Sequence, residues 1–217
     1  MLAVQDPSQV ALLSSFFKTA KGQYGEGDLF LGIKVPTTRK VVKSLSGQLT
    51  LDELEECVAS QYHEVRLAAL LSLIDIYKHA KKDASVRKSC VDFYLTHTAY
   101  INNWDLVDLS CYELLGDWLL DKDRSVLHEL AKNGKTIWEN RIGIVSTMIF
   151  VRNGQFADTL AIAELLLESP HDLIHKAVGW LLREVGKKNH DILVSFLNAH
   201  FRQMPRTTLR YAIERFP

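Results

Sequence analysis

Three groups of residues in this chain put polar or aromatic chemistry where a helix would otherwise be plain. In INNWDLVD at 101–108, Trp104 and Asp108 stand four residues apart, so a helix places ring and carboxylate on one face. A wheel at ~100° per residue sets Asp108 at the edge of the apolar stripe, beside Leu115 and Leu119. It is either a carboxylate making a capping bond or one that opposes a cation developing on a substrate in a partly desolvated groove. Asp105 points elsewhere and is expected to cap or to face solvent. In the segment 135–152, Arg141 falls within the stripe of Ile137, Trp138, Ile144, Val145, Met148 and Ile149, and Arg152 lies close by on the same side. A buried guanidinium is costly alone, so each needs a carboxylate, a run of carbonyls or a ligand's phosphate. In 170–187, Lys176, Trp180, Arg183 and Lys187 gather opposite the apolar stripe. Trp180 there either packs on a neighbouring repeat or forms an aromatic platform between phosphate-binding cations.

Other chemistries lack support. The chain has no GxxxxGK[ST], HExxH or GxSxG pattern, so phosphate-loop, zincin and hydrolase-elbow mechanisms are set aside. His171 and His175 have i, i+4 spacing without a third ligand nearby, and neither a metal nor a cofactor is expected. His63, beside Glu64 at a helix start, is expected at the surface. Cys57, Cys90 and Cys111 are odd in number and far apart, reading as small buried hydrophobes of a reducing compartment.

The elements that must position these residues are helical. Apolar residues recur at i, i+3, i+4 and i+7, which predicts helices near 7–21, 36–46, 50–60, 62–80, 83–96, 100–120, 123–133, 135–152, 156–168, 170–187, 189–201 and 205–215. Pro7, Pro36 and Pro170 sit near first turns, and Thr50 with Glu53 three residues on is a capping-box pattern. Short turns between these helices suggest stacked pairs with a period near that of two-helix solenoids. Glu64–Leu70, EVRLAAL, is similar to the second helix of a HEAT repeat. The expected fold is all-α, a curved α-α superhelix of HEAT-like repeats with a concave groove, formed by residues 1–217 as a single domain. A compact helical bundle is the alternative.

Hydrophobic residues make up 47% of the 217 residues and charged ones 24%, the proportions of a globular protein rather than a disordered one. The N-terminus has no basic region before a long apolar run, and IGIVSTMIFV at 142–151 is half of the ~20 residues a membrane span needs. A cytoplasmic protein without a membrane partner is expected. The 26 Lys and Arg balance 26 Asp and Glu, which argues against a generic nucleic-acid binder. The balance is uneven along the chain, however. Residues 171–217 carry 8 basic and 4 acidic side chains, a local excess of four that includes the Lys176, Arg183, Lys187 stripe.

These segments resemble the DNA alkylation repair glycosylases of the AlkD type, which are built from HEAT-like repeats. The resemblance runs through FLGIKVPTTRK at 30–40, YHEVRLAALL at 62–71, NNWDLVD at 102–108, ENRIGIVST at 139–147, HDLIHKAVGWLLREVGKK at 171–188 and MPRTTLRYAIERFP at 204–217. It implies Trp104, Asp108, Arg141 and Trp180 as the active set, with Asp108 catalytic, and it matches a family tyrosine to Tyr24. The cations that the wheel singles out, Lys176, Arg183, Lys187 and Arg152, are the expected contacts to DNA, together with Tyr24. The implied reaction is monofunctional hydrolysis of the N-glycosidic bond of cationic purines, 7-methylguanine or 3-methyladenine, in double-stranded DNA. No lysine lies in the matching motif, so no Schiff-base lyase step is implied. The resemblance also implies a monomer that works from the backbone side without a snug base pocket. A non-catalytic HEAT-like module that binds DNA structure or a protein partner is the alternative from another class.

Overall fold

In a computed structural model, which describes residues 1–216, the chain is helical and contains no strand among those residues. Pro217, the last residue of the 204–217 segment, lies outside them. The α-helices in chain order are α1 (Pro7–Phe16), α2 (Val35–Ser44), α3 (Leu51–Val58), α4 (His63–His79), α5 (Ala84–Thr96), α6 (Trp104–Asp108) and α7 (Asp117–Leu119), followed by α8 (Ser125–Asn133), α9 (Ile137–Val145), α10 (Met148–Arg152), α11 (Ala157–Leu165), α12 (Asp172–Lys188), α13 (His190–His200) and α14 (Arg206–Ala212). Local signals set several of the starts. Asp6 caps α1 by accepting from Ser8 N–H, with Pro7 in the first turn. Thr50 and Glu53 close the capping box of α3, the Glu53 carboxylate accepting from Thr50 N–H at 2.8 Å.

Two predicted long helices are broken. The 100–120 stretch resolves into a 3₁₀ turn, the single turn α6, a π-helical turn at Tyr112–Gly116 and α7. Asn103 supplies the break: its side chain accepts from Trp104 N–H and so starts a new helix there. The 135–152 stretch divides into α9 and α10 around Ser146 and Thr147, which shifts the helical phase. Arg141, on α9, is buried, as its place within the apolar stripe predicts, and Arg152, the last residue of α10, is exposed.

The chain forms two compact units, Met1–Ser110 and a second over 111–216. In the first, α2, α3 and α5 pack against α4. Helix α4 is apolar nearly all round, with eleven of its 17 residues buried, and is the axis of that unit's core. In the second, α12 packs on α9, α13 and α14, while α8 pairs with α9. Its apolar side, Ile174, Ala177, Val178, Leu181, Leu182 and Val185, is fully buried, as the wheel predicts. Gly179 permits the close approach of α14, because a Cβ there would stand 2.6 Å from the Thr208 carbonyl. No helix among the described residues is long and apolar enough to cross a membrane.

Candidate active site

The first unit presents Trp104 and Asp108 together. Helix α6 is one turn long, so residues four apart share its outer face while Leu106 and Val107 are fully buried beneath. Both Trp104 and Asp108 are half-buried, and both line a cavity of about 400 Å³. Phe16, Phe17 and Phe30 stand in its walls with Trp104. Trp104 stacks on Phe17 at 5.5 Å between centroids and meets Phe16 edge-on at 5.9 Å. Phe30 stacks on Phe17 in turn, at 5.2 Å. Lys34, exposed at the start of α2, also lines the cavity.

Against the same cavity, through His63 and Asp105, lies a cluster that reading the sequence missed. His63, expected at the surface, is 1% exposed. Its Nε2 lies 2.9 Å from Asp105 and its Nδ1 lies 3.2 Å from Asp28. Asp105 is therefore neither a solvated group nor merely a cap. The turn of α6 that directs Trp104 and Asp108 outward directs Asp105 into the core. Arg66 completes the cluster: it pairs with Asp28 at 2.7 Å and donates to the Ser60 carbonyl and to Asn102. Asn102 donates to Asp28 at 2.9 Å. Two carboxylates and two cations thus share one dry site with their charges balanced, the condition under which buried ions are tolerated.

The electrostatics follow from this geometry. Burial by itself pushes the imidazole pKa of His63 down, but the hydrogen bonds to Asp105 and Asp28 and the Asp105 charge outweigh it, raising the pKa to about 9. For Asp28, burial pushes the carboxyl up, yet the His63 hydrogen bond and the Arg66 charge hold it below its ordinary range. Glu64, the neighbour of His63, is also buried, and its carboxylate accepts from the backbone N–H groups of Leu31, Gly32 and Ile33 at 2.9–3.1 Å. That grip fixes the FLGI segment on α4. Gly32 is required there: its φ is +81°, and a Cβ would stand 1.9 Å from the Asp6 carbonyl oxygen.

A sequence signal for this cluster existed. His63, Glu64 and Arg66 open a helix whose middle turns, Leu67–Ile74, are apolar nearly all round, so polar groups there have to be paired inside.

The other predicted residues belong to different surroundings. Tyr24 is half-buried in the turns between α1 and α2. In the second unit, Arg141 is 5% exposed and donates from Nη1 to the Leu173 carbonyl on α12, a carbonyl partner of the kind a buried guanidinium needs. Trp180, on α12, is half-buried. The cations around it have carboxylate neighbours. Lys176 pairs with Asp172 at 2.7 Å, Lys187 with Glu184 at 2.6 Å, and Arg183 with Glu184 and Glu214. Arg152 is exposed, its guanidinium 4.8 Å from the centre of the Tyr112 ring. His175 bonds through Nε2 to the Ser169 carbonyl, and no cluster of metal-ligating side chains occurs among the described residues.

Comparison with known proteins agrees with this fold. Residues 1–216 match the profile of a family described as DNA alkylation repair enzyme. A solved structure, a predicted DNA alkylation repair enzyme from Enterococcus faecalis, superposes with a TM-score of 0.74 at 16% identity, covering 98% of this chain and 96% of that one. At that identity the likeness speaks for the fold alone. None of the curated proteins matches the chain.

Proposed function

We infer the activity from one premise: the chain belongs to the DNA alkylation repair enzyme family. Within it we propose a monofunctional DNA glycosylase that releases positively charged N-alkylpurines, 7-methylguanine and 3-methyladenine, from duplex DNA. The observation that carries this reading is the pairing of Trp104 and Asp108 on one wall of an aromatic cavity.

The chemistry suits that pair. A purine alkylated at N7 or N3 already carries positive charge, so it leaves with the electrons of the C1′–N9 bond and becomes neutral without a general acid. The charge then moves to the sugar as an oxocarbenium-like cation, the problem glycosidases solve with carboxylates. Asp108 opposes that charge and takes a proton from the water that adds to C1′. Trp104 offers a π face to the same cation, with Phe17 stacked behind it. Trp180 is assigned the corresponding role on the second unit, and Arg141 a phosphate beside the lesion. Lys176, Arg183, Lys187, Arg152 and Tyr24 are assigned to the DNA backbone. Lys34, at the cavity, lies in the FLGIKVPTTRK segment but not among the four residues of the active set, and the water route leaves it no covalent part. We place this activity in residues 1–217 working as one domain and as a monomer in the cytoplasm.

The test is release of 7-methylguanine and 3-methyladenine from methylated duplex by the wild type and by Asp108→Asn. Wild-type release that falls at least ~100-fold in the variant, with duplex binding retained, supports the assignment. Full release by Asp108→Asn removes that residue's role. No release by the wild type favours a binding module that reads DNA structure or a protein partner.

A further inference from the structure

We propose that His63 is a positioning residue for Trp104 and Asp108, holding the one-turn helix α6 in place from inside the core. The proposal rests on the glycosylase reading for its consequence in rate, but its geometry stands alone.

Helix α6 is too short to orient itself. Five residues form one turn, and an isolated turn of that length has no stability in water. Its pose has to come from tertiary contacts, and two of these meet at His63. One is the 2.9 Å contact from His63 Nε2 to Asp105, the residue between Trp104 and the rest of the turn. The other runs through rings: His63 lies 4.7 Å from both Phe17 and Phe30, and Phe17 is the ring on which Trp104 stacks. A shift of His63 would therefore reach the indole by both routes.

Proton count makes this contact conditional. A protonated imidazole has two N–H groups and donates to Asp105 and Asp28 at once. A neutral ring has one N–H, so its bare nitrogen would face a carboxylate lone pair to lone pair. The charged groups around it are Glu64 and Arg66 on its own helix, Asp28 before the FLGI segment, Asp105 and Asp108 on α6, and Lys34 at the cavity. Arg66 is committed to Asp28, the Ser60 carbonyl and Asn102, and Glu64 to three backbone N–H groups. Losing the His63 proton would leave one N–H for two carboxylates, so the ring could no longer donate to Asp105 and Asp28 together and its hold on α6 would loosen.

The experiment measures single-turnover base release from pH 6 to 10, with spontaneous loss subtracted, alongside the indole N–H resonance of Trp104, assigned with Trp104→Phe. Both are expected to change on the alkaline side with a common midpoint close to pH 9. Asp28→Asn removes one of the two carboxylates without touching α6, and is expected to move that midpoint down by about one unit or more. His63→Gln is expected to abolish the alkaline change and slow release roughly 10- to 100-fold, with duplex affinity kept. An alkaline midpoint that is the same in the wild type and Asp28→Asn would overturn the proposal, as would a His63→Gln enzyme as fast as the wild type. If His63→Gln does not fold, Asp28→Asn decides by the midpoint. If the wild type releases no base, the glycosylase reading fails by itself. The Trp104 resonance then decides: a midpoint moved by Asp28→Asn upholds the positioning role, and a resonance that does not titrate overturns it.

Discussion

Asp105 bonds inward to His63 at 2.9 Å, although it lies one residue from Trp104 and three from Asp108, which both line the cavity. Neighbouring acidic residues on one helical turn have thus been given separate work. Asp105 anchors, and Asp108 faces the cavity. The helix step does not make the division, since residues three apart stand only about 60° apart; it comes from packing, which puts His63 against Asp105 and leaves Asp108 half-buried at the cavity.

The buried cluster gives stability a dependence on pH. His63 has its pKa raised from 6.5 to about 9 in the fold, so the native state holds this proton more tightly than the unfolded chain does. Its contribution is full below pH 6.5 and is lost as pH rises through about 9. Asp28 is displaced downward, so its contribution is present above its unfolded value of 3.8 and is lost as pH falls through its lower value in the fold. Each unit of displacement corresponds to about 1.4 kcal/mol. Thermal melts of the wild type are expected to lose several degrees between pH 7 and pH 9.5, and those of His63→Gln to be flatter across that window. Parallel curves for the two proteins would contradict the linkage.

Glu64→Gln is expected to destabilise the fold by about 2–4 kcal/mol. The carboxylate accepts from three backbone N–H groups, whereas an amide offers one oxygen and turns an NH₂ toward the same donors. A lowered urea midpoint with an unchanged slope checks this. A midpoint equal to that of the wild type would show that the FLGI segment is held in some other way.

Glu184 pairs with Lys187 at 2.6 Å and lies 3.7 Å from Arg183, so its single charge is shared between them. If these cations are to meet DNA phosphates, Glu184 competes with the backbone for them. Glu184→Gln is expected to tighten duplex binding roughly 3- to 10-fold at low salt and to steepen its salt dependence by up to about one counterion. Titrations at several salt concentrations measure this, and weaker or unchanged binding would sink the phosphate role of the stripe.

Helix periodicity was readable because it is a local property: α4, α12 and the capping box of α3 all lie where their spacing puts them. Trp104 and Asp108 were readable as a pair for the same reason, since four residues span one turn. The broken helices were not. Asn103 reads as an ordinary polar residue until its side chain is seen capping Trp104 N–H, and no proline stands at Ser146 and Thr147 to mark the division of α9 from α10.

By itself the sequence determined the helical class and the resemblance to alkylation repair proteins, and it put ring and carboxylate on one face at 104 and 108. The tertiary structure alone decided what holds that face. His63 meets Asp28 across 35 positions and Asp105 across 42, and Glu64 reaches backbone groups 31 to 33 positions away. Local reading compares residues near in sequence, so it put His63, at a helix start, on the surface and left Asp105 as a cap or a solvated group. Only the packing of α4 against its neighbours removes water from them, and once water is gone each buried charge must find its partner in the protein.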